Sequence, residues 1–352
     1  MAVIIKEFDR LSDDRLVEKV TLRNGNGTEV SLLTLGATIQ SLLFEGKDIV
    51  LGFDTAGDYF ASGAYIGATV GRVCNRTADG SFTLNGTTYQ LNCNEPDRRV
   101  HLHGGNVGFD KKVWSCTVLA DGDEPSVAFE MESADGDEGY PGNLRVRLVY
   151  TLTADDTLTL DYTAAADADT PLNLTNHVYF NLNGCDGDTV RNHYLRICAD
   201  EYTPVTERLV PTGVYAPVAD TCIDFRDFRL IGDSLQGEDA CMPYTGGVDH
   251  NFVLAHQRRE LSEAAVAYSP DTGIRVTCCT DLPGVQVYTG NFLDEKGGKY
   301  GLKWGQHQGF CLETQFCANS VNEPNFPSII LKCGDTFTSR TTYRFDKVGE
   351  GK

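Results

Sequence analysis

The sequence predicts an all-β protein, a large antiparallel β-sandwich with few short helices. Three observations lead there. Apolar residues recur at every second position along most of the chain, turn residues interrupt those runs, and helical periodicity is nearly absent. The clearest run is Val146, Leu148, Tyr150 and Leu152, followed after Ala154-Asp155-Asp156 by Leu158, Leu160 and Tyr162. Alternation of this kind buries one face of each strand, and the acidic turn joins the two as an antiparallel pair.

Phe82 and Leu84, then Asn85-Gly86, then Tyr89 and Leu91 predict a second hairpin. Asn-Gly accepts the positive φ angles of a two-residue turn. Residues 30–33, 274–277, 285–288 and 329–332 are further strand candidates, and one short helix is expected within 227–239. The 36 Gly and 12 Pro are spread evenly, as many turns require. Residues 1–352 are therefore expected to form one domain; 232–247 is the only stretch resembling a linker.

The net charge of -20 repels phosphate backbones and anionic lipid headgroups. It excludes nucleic acid and membrane as expected partners and disfavours a phosphorylated substrate. The twelve Cys contain no CxxC pair, and Cys278 and Cys279 are adjacent, so free thiols in a reducing compartment are expected. The start, Met1 to Lys6, is charged too early for a secretory signal, and no apolar run approaches the ~18 residues that span a bilayer. A cytoplasmic monomer or weak dimer is expected.

Five segments gather reactive side chains. Gly71-Arg72-Val73-Cys74-Asn75-Arg76 lacks phosphate-loop spacing; Asn75 and Arg76 either offer donors to a ligand or sit in a turn. In His101-Leu102-His103-Gly104-Gly105, two His at i, i+2 share a strand face, which leaves metal, structural and substrate-binding roles open. The two glycines would let a ligand approach the backbone. Thr175-Asn176-His177-Val178-Tyr179-Phe180-Asn181 sets a His among apolar residues, more often a packed core His, yet Asn176, Tyr179 and Asn181 add hydrogen-bonding capacity. Asp249 follows Gly246-Gly247-Val248, as either a hydroxyl acceptor or a turn residue. Gln286 lies in Pro283-Gly284-Val285-Gln286, and Glu313 follows Phe310 and Leu312 on a strand-like run. A buried Glu without a partner is costly.

Together, and in this order, Asn75-Arg76, Leu102-His103-Gly104-Gly105, Thr175-Asn176-His177, Asp249-His250-Asn251-Phe252, Pro283-Gly284-Val285-Gln286 and Leu312-Glu313-Thr314-Gln315 resemble the aldose 1-epimerase (galactose mutarotase) family. The resemblance runs from Gly36-Ala37-Thr38-Ile39 to Pro324-Asn325-Phe326-Pro327. It implies a mutarotase-like β-sandwich with an open cleft on one sheet and no metal or cofactor. It implies Glu313 as general base, His177 as general acid and His103 as a group that holds and polarises the sugar. Asn75, Arg76, Asp249 and Gln286 would bind hydroxyls and ring, as would Val178 and Tyr179. Val178 stands where the family often has Ser, and His101 has no role in that pattern.

The chemistry fits these residue types. Inverting a free anomeric centre needs one base at O1 and one acid at O5; the ring opens to an aldehyde, rotates about C1–C2 and recloses. Glu is ordinarily a base at neutral pH, and His, ordinarily near 6.5, needs modest help to stay protonated. Neighbouring carboxylates or the strongly acidic protein field are expected to supply it, leaving His177 partly cationic. The rivals are a hexose-6-phosphate 1-epimerase, which would carry extra Arg at the cleft, a non-catalytic carbohydrate-binding protein, and a glycoside hydrolase using Asp249 and Glu313.

Overall fold

A computed structural model describes residues 2–349. The alternation read from sequence is realised directly. Strand Leu144–Leu152 buries Leu144, Val146, Leu148, Tyr150 and Leu152 and pairs antiparallel with Thr157–Ala166, setting Leu148 opposite Tyr162 and Tyr150 opposite Leu160. These two strands lie inside a nine-stranded antiparallel sheet that also contains Thr336–Lys347, Ile274–Thr280 and Ser262–Tyr268. The Asn-Gly hairpin forms as expected, Ser81–Leu84 against Thr87–Gln90, with Asn85 at φ 50° and Gly86 at φ 79°.

Two five-stranded sheets share a core with the large one. The first is built from the N-terminal strands Val3–Arg10 to Lys47–Asp48. The second runs Ala216–Pro217, Glu201–Thr203, Asp249–Val253, Gly284–Tyr288, Cys311–Gln315 in spatial order. A single core cluster draws Leu32 and Ile39 from the first, Leu148, Leu160 and Tyr343 from the nine-stranded sheet, and Phe252, Val285, Val287 and Leu312 from the second. Each such side chain contributes roughly 1.5–3 kcal/mol on burial.

Three α-helices occur among the described residues, Ala56–Ala61, Ile231–Ser234 and Met242–Thr245. The helix expected within 227–239 is only Ile231–Ser234. Arg229–Leu230 instead extends the nine-stranded sheet at its edge against Tyr194–Ile197. The strand expected at 329–332 shrinks to Ile330–Leu331. Among the described residues no helix is long and apolar enough to cross a membrane.

Candidate active site

Register on the second five-stranded sheet assembles the site. Strand Gly284–Tyr288 pairs on both sides, which sets Asn251, Gln286 and Glu313 abreast. Because side chains alternate, Asp249, Gln286, Tyr288, Cys311 and Glu313 share one face, while Phe252, Val285, Val287 and Leu312 turn into the core. That face floors a cleft of about 280 Å³, whose walls include Tyr65, Asn75, Arg76, Glu95, His103, His177, Tyr179 and Phe292. A larger open hollow of about 760 Å³ near Arg191, Asp271 and Lys347 contains none of the candidate residues.

His177 enters from the other side. Its N–H donates to Ala68 O (2.9 Å) and its carbonyl accepts the Gly67 N–H (2.9 Å). Asn176 braces this turn from behind, donating to Gly67 O (2.9 Å) and accepting the Val178 N–H (3.0 Å). Gly67 is needed there, since a Cβ would lie 2.1 Å from Ile39 O. The imidazole Nε2 stands 3.6 Å from Glu313 Oε1. Its Nδ1 faces Cys311 Sγ at 3.5 Å, and Tyr179 stacks on the ring at 5.0 Å between centroids.

His103 and Asn75 lock each other. The His103 N–H donates to Asn75 O (3.0 Å), and the Asn75 N–H donates to His103 Nδ1 (3.2 Å). Arg76 donates to Glu95 (2.8 Å), which Arg98 also contacts. Gln286 donates to Asp249 Oδ1 (2.6 Å). Glu313 lines the cleft floor yet is buried, and its Oε2 has no hydrogen-bond partner among the described residues.

Burial pushes the Glu313 carboxyl well above its ordinary range; Asp249 adds to the rise and Arg76 opposes it. Burial also raises Asp249, against Arg76 and Gln286. It lowers His103 well below 6.5, with the His177 and Arg76 charges adding to the fall. His177 is lowered to about 4. The expectation of a partly cationic His177 is therefore overturned. Desolvation acts at contact range, whereas a diffuse net charge is screened over about 10 Å.

Three further expectations are corrected. Val178 does not line the cleft: the strand ends at Asn176, and the Val178 side chain packs fully buried in the main core. His101 and His103 do not share a face, because His103 lies at φ 52° beyond the strand Val100–Leu102. His101 is buried outside the cleft with Nδ1 2.7 Å from Asn92 O. The glycine pair cradles no ligand; a Cβ on Gly104 would fall 1.9 Å from Gly71 O, and one on Gly105 2.2 Å from a Glu138 oxygen. Tyr179 does border the cleft, with its hydroxyl donating to Ala64 O (3.0 Å).

His103, His177 and Glu313 each bring a ligand-type atom within 4.8 Å of the others, the make-up of a three-ligand metal site. Hydrogen bonding opposes that use. Nδ1 of His103 accepts from Asn75, so the neutral ring keeps its proton on Nε2 and leaves neither nitrogen free. Proton transfer suits the cluster better.

Sequence reading missed Tyr65, Glu95, Tyr288, Cys311 and Phe292. Tyr288 and Cys311 each lie two residues from a named site residue, so strand alternation is a signal that reaches them. Glu95 had none; it precedes the short turn Pro96–Arg98 and falls outside every motif, between Asn75-Arg76 and Leu102-His103.

The sequence model of the family described as aldose 1-epimerase matches residues 18–344. The chain belongs to that family. It is 43% identical to a galactose mutarotase of Rattus norvegicus, over 94% of each chain. Against an aldose 1-epimerase of Escherichia coli K12 it is 37% identical over 93% of this chain and 94% of the relative. The crystal structure of a galactose 1-epimerase from Lactobacillus acidophilus superposes with a TM-score of 0.87 at 30% identity, covering 98% of both chains. The antiparallel sandwich of this aldose 1-epimerase family member is thus that of a solved relative.

Proposed function

We propose that this protein interconverts the α and β anomers of a free hexose such as galactose or glucose, with Glu313 as base toward O1 and His177 as acid toward O5. The observation that carries the reading is the 3.6 Å separation of Nε2 and Oε1 at the cleft floor. O1 and O5 share one carbon, so the groups that serve them must also be neighbours. Arg76, Asp249, Gln286, Asn75 and His103 surround that point and supply donors and acceptors for the remaining hydroxyls. His103, with its proton on Nε2, donates.

The pair carries one proton through the cycle. With the ring closed and ready, the proton is on the imidazole. Ring opening moves the O1 proton to Glu313 and the imidazole proton to O5, leaving a carboxylic acid beside a neutral imidazole. Burial raises Glu313 and lowers His177, and both shifts favour that neutral pair. Desolvation therefore favours the state that accompanies the open-chain aldehyde. Closure runs both transfers backwards after rotation about C1–C2.

The cleft charges support an unphosphorylated sugar. Arg76 and Arg98 both contact Glu95, and Asp249, Glu295 and Glu313 also line the cleft, so no unopposed cationic pair awaits a phosphate. The acid–base pair argues against a purely binding role. The shared core cluster supports treating the chain as one catalytic domain.

The test follows the optical rotation of fresh α-D-galactose. Glu313→Gln keeps the shape and removes the base, and should cost about 10²–10⁴ in kcat. Full activity in that variant removes Glu313 from the mechanism.

A further inference from the structure

Nε2 of His177 must lose a proton to O5 and regain it on ring closure. For that nitrogen to be a base in the open-chain state, the neutral ring must keep its other proton on Nδ1 throughout. A buried N–H needs an acceptor. At His177 the side-chain polar atom facing Nδ1 is Cys311 Sγ, at 3.5 Å, beside the residue's own main chain, which also favours a protonated ring.

We propose that Cys311 is a positioning residue whose sulfur accepts the Nδ1–H of His177 and so holds Nε2 open for proton exchange with Glu313 and O5. The proposal rests on the acid–base reading above. Cys311 is fully buried and reaches this place because it lies two residues before Glu313 on strand Cys311–Gln315; one strand thus carries the base and the partner of the acid. The other groups packed on the imidazole are Tyr179, Tyr65, Tyr288 and His103, all through ring faces or edges, and Glu313 at Nε2. Burial, Glu313 and Asp249 all push the thiol above its ordinary range, so it remains S–H and accepts as a neutral atom. Sulfur is a weak acceptor. It orients the ring without stabilising the imidazolium as a carboxylate would, which keeps His177 a strong acid.

Cys311→Ala, Cys311→Ser and Glu313→Gln would be compared by polarimetry across pH, with His177 read by 15N NMR in the wild type. At pH 7 the proton is expected on Nδ1. Cys311→Ala should lose about tenfold in kcat, the size of one hydrogen bond, with little change in KM. Its acid limb should move to lower pH, because the cation has lost its acceptor. Cys311→Ser should recover most of kcat and move the limb upward, since a hydroxyl accepts better. A wild-type proton found on Nε2 overturns the proposal, and so do Ala and Ser variants that leave the limb unmoved. Full activity in Glu313→Gln would instead defeat the acid–base reading itself.

Discussion

Acid should inhibit this enzyme much later than an ordinary histidine would allow. Activity requires one proton on the Glu313–His177 pair, and a second proton, placing charge on the imidazole beside an already protonated carboxyl, stops the transfer. Burial pushes His177 to about 4. At pH 5 roughly nine-tenths of the enzyme should therefore remain in the working form, whereas an imidazole at its ordinary ~6.5 would leave about 3%. The two values belong to the pair rather than to either residue, but the acid limb of kcat/KM reports the first of them. The assay is polarimetry of α-D-galactose between pH 4 and 8, with the spontaneous rate in each buffer subtracted. Stability must be followed alongside by intrinsic fluorescence. His177, His193 and His250 are held neutral by burial at about 4, 3 and 4. Their folded values lie below the unfolded one, so their contribution is intact above pH ~6.5 and declines as pH falls, by about 2 kcal/mol each at pH 5. A folded enzyme that loses half its activity near pH 6.5 would refute the reasoning.

Glu95→Gln removes the carboxylate that holds Arg76 at 2.8 Å; a lost charge-assisted hydrogen bond of about 1.5–3 kcal/mol should raise KM for galactose at least tenfold while kcat falls less, read from initial rates. Lys299→Met leaves Asp48 buried without its cation at 2.6 Å, and should cost about 3–5 kcal/mol of stability in urea unfolding with the kinetic constants of the surviving folded enzyme unchanged.

What the sequence made legible was local. Period-two alternation and Asn-Gly turn chemistry act between near neighbours, so the hairpins at 144–166 and 81–90 could be read directly. Glu313, Gln286 and Asp249 were legible as members of motifs, but their convergence is a matter of strand register, decided by pairings tens of residues apart. Val178 failed because the strand stops at Asn176, after which alternation no longer says which way a side chain points. His101 and His103 failed for a kindred reason: His103 is itself left-handed and lies just past the end of the strand that carries His101. Glu95 reaches Arg76 through folding alone, and no pattern near it marks the pairing.

Arg76 is where these failures and the chemistry meet. Two buried carboxylates, Asp249 and Glu313, are both opposed in their rise by this one guanidinium, while Glu95 draws the same group toward the cleft wall. Glu95 thus limits how much of the Arg76 charge reaches Glu313. Were Arg76 released toward the floor, Glu313 would ionise more readily and become a weaker base. The carboxylate that orients the sugar-binding arginine also helps keep the catalytic one basic, so in Glu95→Gln the alkaline limb of kcat should shift to lower pH.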